Sequence, residues 1–339
     1  MGNRGPTLED VAREAGVSRA TVSRVVNGVR NVDSDIQRTV RDAIARTGYT
    51  PNQAARSLVT RRTGTVALVL SATGSAFAAR VFSDPFFGRV VDGVLPVLRE
   101  RAIQPVMLVA ESEPARTQLV EYLRQGGADG ALVVPLDDED PLPAMLVAAG
   151  LPTVLFGRPR DGERCAFVDL DNAAGARLAA EHLWATGRRR PATIAAPVTA
   201  PTARERLDAF REALAVHGVT SVPVVRGRFT VDSGRAAMAR LLRDHPGIDA
   251  VFAANDLMAQ GACEHLREQG IAVPGTVAVV GFDDSVAARD ARPRLTTVRQ
   301  PVERMAATMA ELLIEQLDGG RTDSASKIFE PLLVVRDTT

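Results

Sequence analysis

The feature that most restricts the fold of this chain is an alternation of short apolar segments with longer amphipathic segments that begins at residue 65. The apolar segments have the length of strands and span 65–70, 106–109, 130–135, 153–156, 192–195, 250–254 and 277–281. The amphipathic segments have the length of helices and span 87–101, 117–125, 173–186, 202–217, 233–244, 257–269 and 302–317. Strands that are apolar throughout and separated by helices are typical of parallel sheets covered on both faces. We therefore predict a doubly wound α/β body, and its length favours two lobes.

Polar residues that directly follow the apolar segments are the first candidates for ligand contacts. Ligands of doubly wound sheets bind at the carboxyl ends of the strands. Asn255, Asp283 and Gln300 each follow an apolar segment, and Arg206 lies near the start of the helix after another. The stretch 83–87, SDPFF, precedes the helix that follows the first strand. These positions are therefore the ones to examine for a binding site in the body.

Residues 7–27 follow a different pattern, in which two short helices are joined by a glycine. Thr7 is a favourable N-cap, and Asp10 stands where the acid of a capping box belongs. Gly16 can supply the turn, and Ser18 can cap the second helix. The outward face of that helix consists of Arg19, Ala20, Thr21, Ser23 and Arg24. The pattern is typical of a helix-turn-helix whose second helix enters the DNA major groove, although a plain helical hairpin shares it.

The distribution of charge favours DNA binding over a plain hairpin. The whole chain has a net charge of 0, which by itself does not indicate a nucleic-acid partner. Residues 1–62, however, contain eleven arginines and six acidic residues, a net charge of +5, so the rest of the chain carries −5. A basic head on an acidic body is the expected footprint of a polyanion-binding module.

Residues 51–62 are predicted to link the head to the body. Pro51 can open a helix at its first turn, but the segment is too short for a stable isolated helix in water. We expect a linker that becomes helical only when it is docked. A simple connector would not explain the exposed Leu58 beside a run of arginines.

Several classes of protein are disfavoured by what the sequence lacks. Cys165 and Cys263 have no partners at metal-site spacing, so we expect buried or half-buried thiols rather than a metal or disulfide site. No apolar run reaches the ~18 residues of a membrane span and no signal peptide is evident, which predicts a cytoplasmic protein. GxSxG, P-loop, CxxC and HExxH motifs are absent, so we expect no enzyme activity, catalytic residue, cofactor or metal. The body alone would also suit a solute-binding receptor, which the DNA-binding head and the missing signal peptide oppose.

Seven motifs in order carry a resemblance that covers essentially the whole chain. They are TLEDVAREAGVSRATVSRVVN, YTPNQAARSL, DNAAGARLAAEHL, TARERLDAFREAL, VFAANDLMAQGA, VAVVGFDD and PRLTTVRQP. The chain resembles the LacI/GalR family of transcriptional repressors. The resemblance implies an all-α helix-turn-helix domain at 1–50, a hinge helix at 51–62, and an effector-binding and dimerisation domain at 63–339 that is similar to periplasmic binding proteins. The two α/β lobes of that domain are expected at 63–164 plus 296–325 and at 165–295 plus 326–339.

The resemblance also implies which residues contact operator DNA. These are Thr7, Ser18, Arg19, Ala20, Thr21, Ser23, Arg24 and Asn27 of the head and Asn52, Ala55 and Leu58 of the hinge. Arg19 and Ala20 occupy the base-reading positions, and Arg24 is placed to reach a guanine edge. Ala20 departs from relatives with a long polar residue there, so Arg19 is expected to carry more of the specificity. Leu58 matches a wedge that enters the minor groove and kinks the DNA.

A sugar effector is implied between the lobes. Its expected contacts are Phe86, Phe87, Arg206, Phe229, Asn255, Asp283 and Gln300. Arg206 and Asp283 would hold ligand hydroxyls, and the phenylalanines would cover a sugar face. Gly157 stands where some relatives have an aspartate, so one hydroxyl acceptor is expected to be missing.

The resulting functional prediction is a repressor whose affinity for a palindromic operator is controlled by a small molecule, and a sugar is the expected effector. A co-repressed or activating regulator with a non-sugar effector, such as a nucleoside or purine, stays open as an alternative. The chain lacks the leucine-heptad tail that joins two dimers in some relatives. We therefore expect a homodimer rather than a tetramer, with no membrane association.

Overall fold

The computed structural model describes residues 5–26, 32–49, 62–72, 84–160, 163–320 and 325–339. The chain forms two compact units, Met1–Gly64 and Thr65–Thr339, and each is considered by itself. The predicted start of the body at residue 63 lies next to this division. The predicted hinge helix at 51–62 lies almost entirely outside the described residues.

The N-terminal unit contains three helices, α1 (Leu8–Ala15), α2 (Arg19–Val26) and α3 (Ser34–Thr47). The predicted capping box is present. The backbone N–H of Thr7 donates to the Asp10 carboxylate over 2.9 Å, and the Thr7 hydroxyl accepts from the Asp10 N–H. Gly16 then ends α1 with φ of 66°, a left-handed conformation that a glycine adopts without strain. A small core joins the helices through Val11, Ala12, Ala15, Val22, Val40, Ala43 and Tyr49.

The first lobe of the body is built on a six-stranded parallel sheet. Its strands are β1 (Thr65–Ser71), β2 (Gln104–Ala110), β3 (Ala131–Pro135), β4 (Thr153–Phe156), β5 (Ala166–Leu170) and β11 (Ser326–Phe329), in the order β11-β5-β4-β3-β1-β2. Its helices are α4 (Pro85–Glu100), α5 (Glu113–Arg124), α6 (Leu142–Ala148) and α12 (Val302–Leu317). Apolar residues fill both faces of this sheet, as the continuous apolar strands predict.

The second lobe repeats the design. Its strands are β6 (Pro191–Ala195), β7 (Val224–Arg226), β8 (Ala250–Ala253), β9 (Ala278–Asp283), β10 (Thr296–Arg299) and β12 (Leu332–Val334), in the order β12-β10-β9-β8-β6-β7. Its helices are α7 (Asn172–Ala185), α8 (Pro201–Val216), α9 (Val231–Asp244), α10 (Asp256–Glu268) and α11 (Val286–Asp290). The strands are parallel except for β12, which is antiparallel to β10. The prediction of two doubly wound lobes is confirmed.

The chain crosses between the lobes three times, after β5, after β10 and after β11. The predicted lobe boundaries at 164/165, 295/296 and 325/326 each place one strand in the wrong lobe. Strand β5 belongs to the first lobe, β10 to the second and β11 to the first. Local apolarity identifies a strand, but hydrogen bonds to distant residues decide which sheet it joins.

The sequence pattern located the long elements and missed several short ones. Strand β5 was missed because Asp169 interrupts its apolar run, and β7 is only three residues long. Helix α6 spans seven residues and α11 five, which is too short for a clear helical period. Within the described part of the chain, no helix is both long and apolar enough to cross a bilayer.

Each lobe contains one buried cysteine. Cys165 precedes β5 in the first lobe, and Cys263 lies on α10 in the second; both are unbridged thiols. Burial raises the pKa of the Cys263 thiol to about 12. The prediction of buried thiols is therefore confirmed.

Candidate functional site

A cleft of about 720 Å³, including its open mouth, lies between the carboxyl ends of the strands of the two sheets. The first lobe lines it with Asp84, Phe86, Val134, Pro135, Leu136, Phe156, Gly157 and Asp169. The second lobe lines it with Ala200, Thr202, Arg206, Phe229, Asn255 and Asp283, and Gln300 follows at the crossing after β10. Six of the seven predicted effector contacts therefore meet at one place, as the strand-end rule requires.

Arg206 is a buried cation at the floor of the cleft. Its side chain extends from α8, and its three guanidinium nitrogens donate to Asn172 Oδ1 at 2.9 Å, the Ala254 carbonyl at 2.6 Å and Gln300 Oε1 at 3.5 Å. The guanidinium also lies 3.5 Å from the centroid of the Phe282 ring. Burial lowers the Arg206 pKa to about 10, and neighbouring carboxylates oppose this shift. These contacts fix the orientation of the group.

Asp283 ends strand β9 and lines the same wall of the cleft as this cation. Its φ of 114° is a conformation that residues with a side chain rarely adopt, and Asp284 follows with φ of 51°. Such backbone strain is concentrated at functional sites, where surrounding contacts hold it in place. Burial raises the pKa of Asp283 well above its ordinary value; Arg206 opposes the rise and Asp256 adds to it. Asp283 is thus a strained, desolvated carboxyl next to a fixed arginine.

Asp256 of the second lobe interacts electrostatically with Asp283. Its Oδ1 accepts from the Thr297 hydroxyl at 2.6 Å, and its Oδ2 accepts from the Ser285 N–H at 2.7 Å. Burial raises the Asp256 pKa to about 6, and these two hydrogen bonds moderate the rise. The Asp256 side chain does not line the cleft; it joins the start of α10 to β10 and to the residue before α11.

Asn255 and Gln300 line the cleft while also making structural contacts. Asn255 is the N-cap of α10, where its Oδ1 accepts from the Met258 N–H at 3.0 Å. The amide nitrogen of Asn255 donates to the Phe229 carbonyl at 3.3 Å. Gln300 is held between Arg206 and the sulfur of Met305. Their roles as ligand contacts stay predictions.

The predicted aromatic contacts divide into two groups. Phe86 and Phe229 line the cleft, and Phe156, which the sequence argument missed, packs edge-to-face on Phe86 at 5.3 Å between ring centroids. Phe87 is buried in the core of the first lobe and does not line the cleft. This placement corrects the prediction for Phe87. Consecutive residues of a helix point about 100° apart, so α4 turns only one of the two rings toward the cleft.

Asp169 is a cleft residue that the sequence argument did not single out. It lies on β5 and is almost fully buried, and its Oδ2 accepts from Arg158 Nε at 2.8 Å. Burial raises the pKa of Asp169, and Arg158 opposes the rise. The signal available in the sequence was an acidic residue inside the otherwise apolar segment AFVDL. A buried charge in such a position requires a partner.

Arg89 of α4 links the two lobes beside the cleft. Its guanidinium binds Glu303 through two nitrogens at 2.6 and 2.8 Å, and Glu303 belongs to the first lobe. It also donates to the carbonyls of Asp283 and Gln300 at 2.9 Å each. At the other rim, the Asp138 N–H donates to the Thr199 carbonyl at 2.7 Å. Two cleft residues, Asp283 and Gln300, are thus hydrogen-bonded to a helix of the first lobe.

The recognition-helix candidates of the N-terminal unit lie on α2. Ser18 Oγ accepts from the Thr21 N–H at 3.1 Å and lies 2.9 Å from the Thr21 hydroxyl, so Ser18 caps this helix. Arg19, Ala20 and Arg24 are exposed, and Arg19 lies 3.6 Å from Glu9 of α1. Thr7 and Ser23 are partly buried. The remaining predicted DNA contacts, Asn27, Asn52, Ala55 and Leu58, lie outside the described residues.

Metal ligation has no support in the part of the chain that the structure describes. Among those residues, no three or more His, Cys, Asp or Glu side chains are arranged to hold a metal ion. The cleft and the exposed face of α2 are therefore the two candidate sites.

Two family models match the chain, one on each unit. The model of the lacI family of bacterial regulatory proteins matches residues 7–52. The model of a periplasmic binding protein-like domain matches residues 180–339.

Full-length relatives show the same arrangement. The HTH-type transcriptional regulator CelR of Thermobifida fusca is 45% identical over 99% of this chain and 98% of its own length. GalR of Escherichia coli is 35% identical over 97% of this chain and 94% of its own. Among solved structures, the CelR–cellobiose complex has a TM-score of 0.77 at 43% identity and covers 98% of this chain and 100% of its own. The lac repressor dimer bound to operator and the anti-inducer ONPF has a TM-score of 0.85 at 27% identity and covers 99% of both chains.

Proposed function

Because the chain belongs to the LacI family of DNA-binding transcriptional regulators, we propose that it is a repressor whose operator affinity is set by a neutral saccharide. The observation that carries the proposal is the composition of the cleft. One wall presents a fixed arginine, a carboxyl and two amides, and the other presents mainly aromatic and aliphatic side chains together with Asp84 and Asp169. Directional polar groups suit hydroxyls, and apolar walls suit the C–H faces of a sugar ring.

The charge of the cleft supports a neutral effector over an anionic one. Among the described residues that line it, Asp84, Asp169 and Asp283 are acidic, and Arg206 is the single basic side chain. In a site of low dielectric, an excess of acidic over basic lining residues disfavours a phosphate or carboxylate ligand relative to an uncharged one. Uncharged saccharides are therefore favoured over sugar phosphates and nucleotides, and the cellobiose of the CelR complex makes disaccharides the first candidates.

The mechanism follows from the position of the cleft between two lobes. A ligand that binds both walls prefers one relative arrangement of the lobes, and it shifts the population by its differential affinity for that arrangement. We propose that the protein acts as a homodimer in the cytoplasm, as the dimeric lac repressor complex suggests. Two recognition helices would then reach half-sites of a palindrome about 34–36 Å apart.

The test combines operator selection with a ligand panel. A binding sequence is selected in vitro from random duplexes, and fluorescence anisotropy then measures affinity with and without glucose, galactose, cellobiose, maltose and lactose. We expect a palindromic site and weaker operator binding with one saccharide. A saccharide that tightens binding would identify a co-repressor instead. Failure to select any sequence, or indifference to every saccharide, would contradict the proposal.

Matched arginine variants separate base recognition from general charge. Arg19→Ala removes the exposed cation at the start of α2, and we expect a loss of about 5- to 150-fold on the selected operator. Arg13→Ala removes an exposed cation from α1 that pairs with Asp10, so it is the control and should cost little. Leu58→Ala is expected to weaken operator binding while effector affinity stays intact. Equal losses for Arg13→Ala and Arg19→Ala would argue against sequence reading by α2.

A further inference from the structure

The first lobe opens a space in the cleft wall at Gly157, directly after β4. A Cβ atom built at this residue would have no heavy atom within 4 Å, and the residue has φ of 106°. The Gly157 N–H donates to the Val168 carbonyl on β5 at 2.7 Å. The wall at this point is therefore formed by the side chain of β5 that lies beside Gly157.

The side chain that β5 presents there is Asp169. The pairing of Phe156 with Val168 places Asp169 next to Gly157 in the parallel register. Val168 and Leu170 pack into the lobe core, so the alternation of a strand turns Asp169 to the other face. Asp169 lines the cleft although its residue is only 6% exposed.

Arg158 fixes the position of this carboxylate. Its Nε donates to Asp169 Oδ2 at 2.8 Å, while the Arg158 side chain itself is 47% exposed. A carboxylate has about four acceptor positions, so it can accept from an arginine and a ligand hydroxyl together. Asp169 is thus held in one orientation by a hydrogen bond, as Arg206 is on the opposite wall. Asp169 offers the ligand a hydrogen-bond acceptor, whereas Arg206 offers a donor.

Charged groups of the two walls interact across the cleft. The carboxylates of Asp283 and Asp169 both favour the charged form of Arg206 and raise its pKa against the effect of burial. Asp169 is in turn balanced by Arg158 and Arg206. Arg206 and Asp283 of the second lobe and Asp169 of the first line the same cleft, so a polyol that spans it can bind polar groups of both lobes.

We propose that Asp169, positioned by Arg158, is the hydroxyl acceptor of the first lobe and determines which saccharide the cleft selects. The inference rests on the proposed saccharide effector and extends it to a polar group on the mainly apolar wall. A hydroxyl bound to Asp169 while the same ligand contacts Arg206 and Asp283 ties the lobes together. Selectivity then depends on a hydroxyl that points toward Gly157. Arg158 is a positioning residue, because it acts through Asp169.

Calorimetric titration of the full chain tests this proposal. The probe is the saccharide with the largest effect in the panel, together with its deoxy analogues, each of which lacks one hydroxyl. Asp169→Asn is expected to weaken binding of the parent saccharide about 10- to 150-fold, the range for a hydrogen bond to a charged group. For one deoxy analogue, and only for that one, wild type and variant should bind almost equally. That analogue identifies the hydroxyl that Asp169 accepts.

Arginine variants supply the controls. Arg158→Gln should give a smaller loss confined to the same hydroxyl, and Arg158→Lys should restore part of it. Arg160→Gln alters an exposed arginine that donates to the Asp138 carbonyl, outside the cleft, and should bind as wild type does. Arg158 is half exposed, so its variants keep the test valid if Asp169→Asn unfolds.

The outcomes separate this inference from the proposed function. Unchanged affinity in Asp169→Asn, or an equal loss across the parent and every deoxy analogue, would overturn the role of Asp169 and leave the saccharide effector standing. Absence of saccharide binding by the wild-type protein would overturn both. Loss confined to one hydroxyl, shared by Asp169→Asn and Arg158→Gln, would establish the inference.

Discussion

The two lobes of the body have the same topology and opposite chemistry. Five strands follow the same order in each sheet, β2-β1-β3-β4-β5 in the first and β7-β6-β8-β9-β10 in the second. The sixth strand comes from the C-terminal segment, parallel as β11 in the first lobe and antiparallel as β12 in the second. Repetition of the scaffold therefore does not imply repetition of the site.

The difference lies in the residues at the strand ends. The second lobe supplies polar groups, among them Arg206, Asn255 and Asp283; Arg206 and Asn255 are buried and hydrogen-bonded to neighbours within the lobe. The first lobe supplies mainly apolar side chains such as Phe86 and Phe156. A ligand that fits both walls must have a polar and an apolar face. The comparison predicts that substitutions in the second lobe remove binding, whereas those in the first lobe weaken it.

The largest effect is expected for Arg206→Ala. Truncating one member of a buried charge cluster leaves Asp283 and Asp169 without their shared cation, so effector affinity should fall about 100-fold or more. Calorimetry measures this loss, and anisotropy checks that operator binding persists but no longer responds to effector. Arg206→Lys retains a cation, so its effector affinity should lie between those of the wild type and Arg206→Ala.

Arg211→Ala is the matched control for this prediction, since Arg211 lies on the same helix and is exposed. Comparable losses in both variants would mean that the helix, and not the buried guanidinium, matters for binding. In that case effector binding would not depend specifically on the polar groups of the second lobe.

Adjacent phenylalanines of the first lobe offer a second comparison. Phe87→Ala empties a core position and should lower the free energy of unfolding by about 3–5 kcal/mol, with effector affinity of the folded protein nearly unchanged. Phe86→Ala removes part of the cleft wall and should weaken effector binding about 10-fold with a smaller loss of stability. Urea denaturation and calorimetry distinguish them, and a reversed pattern would refute the assignment of Phe87 to the core.

A third prediction concerns the link between the lobes. Arg89→Gln removes the cation that joins Glu303 to the carbonyls of Asp283 and Gln300, so effector affinity should fall about 3- to 10-fold. Arg99→Gln, an exposed arginine of the same helix, is the control. If Arg89→Gln leaves affinity unchanged, the second lobe positions its site residues without help from the first.

The smallest effect is expected from thiol reagents. Cys165 and Cys263 are buried, one in each lobe, and thiolate is the reactive form. The raised pKa of Cys263 keeps it protonated at pH 8, so a chromogenic disulfide reagent should report no fast reaction in the folded protein. Rapid modification of one thiol in the native state would show that the lobe containing it opens more readily than the other lobe. Cys263→Ala and Cys165→Ala identify which thiol reacts.

Local patterns in the sequence determined the elements and much of the second-lobe wall. The capping box of Thr7 and Asp10, the left-handed Gly16 and the long apolar strands each depend on nearby residues, so the sequence alone predicts them. The strand-end rule then brought Asn255 and Asp283 to one cleft, because the carboxyl ends of parallel strands share an edge.

Only the tertiary structure decided the rest, because it depends on contacts between distant residues. Whether Phe86 or Phe87 faces the cleft is set by how α4 packs on the sheet. The two are adjacent residues of the same type, so the sequence does not distinguish them. In the sequence, Asp169 only interrupts an apolar run. The structure shows that its carboxylate is paired with Arg158, which follows the neighbouring strand β4. Hydrogen bonds across the sheets likewise assigned β5, β10 and β11 to their lobes. The periodicity of apolar residues predicts helices and strands, whereas pairing between distant residues decides which contacts each residue makes.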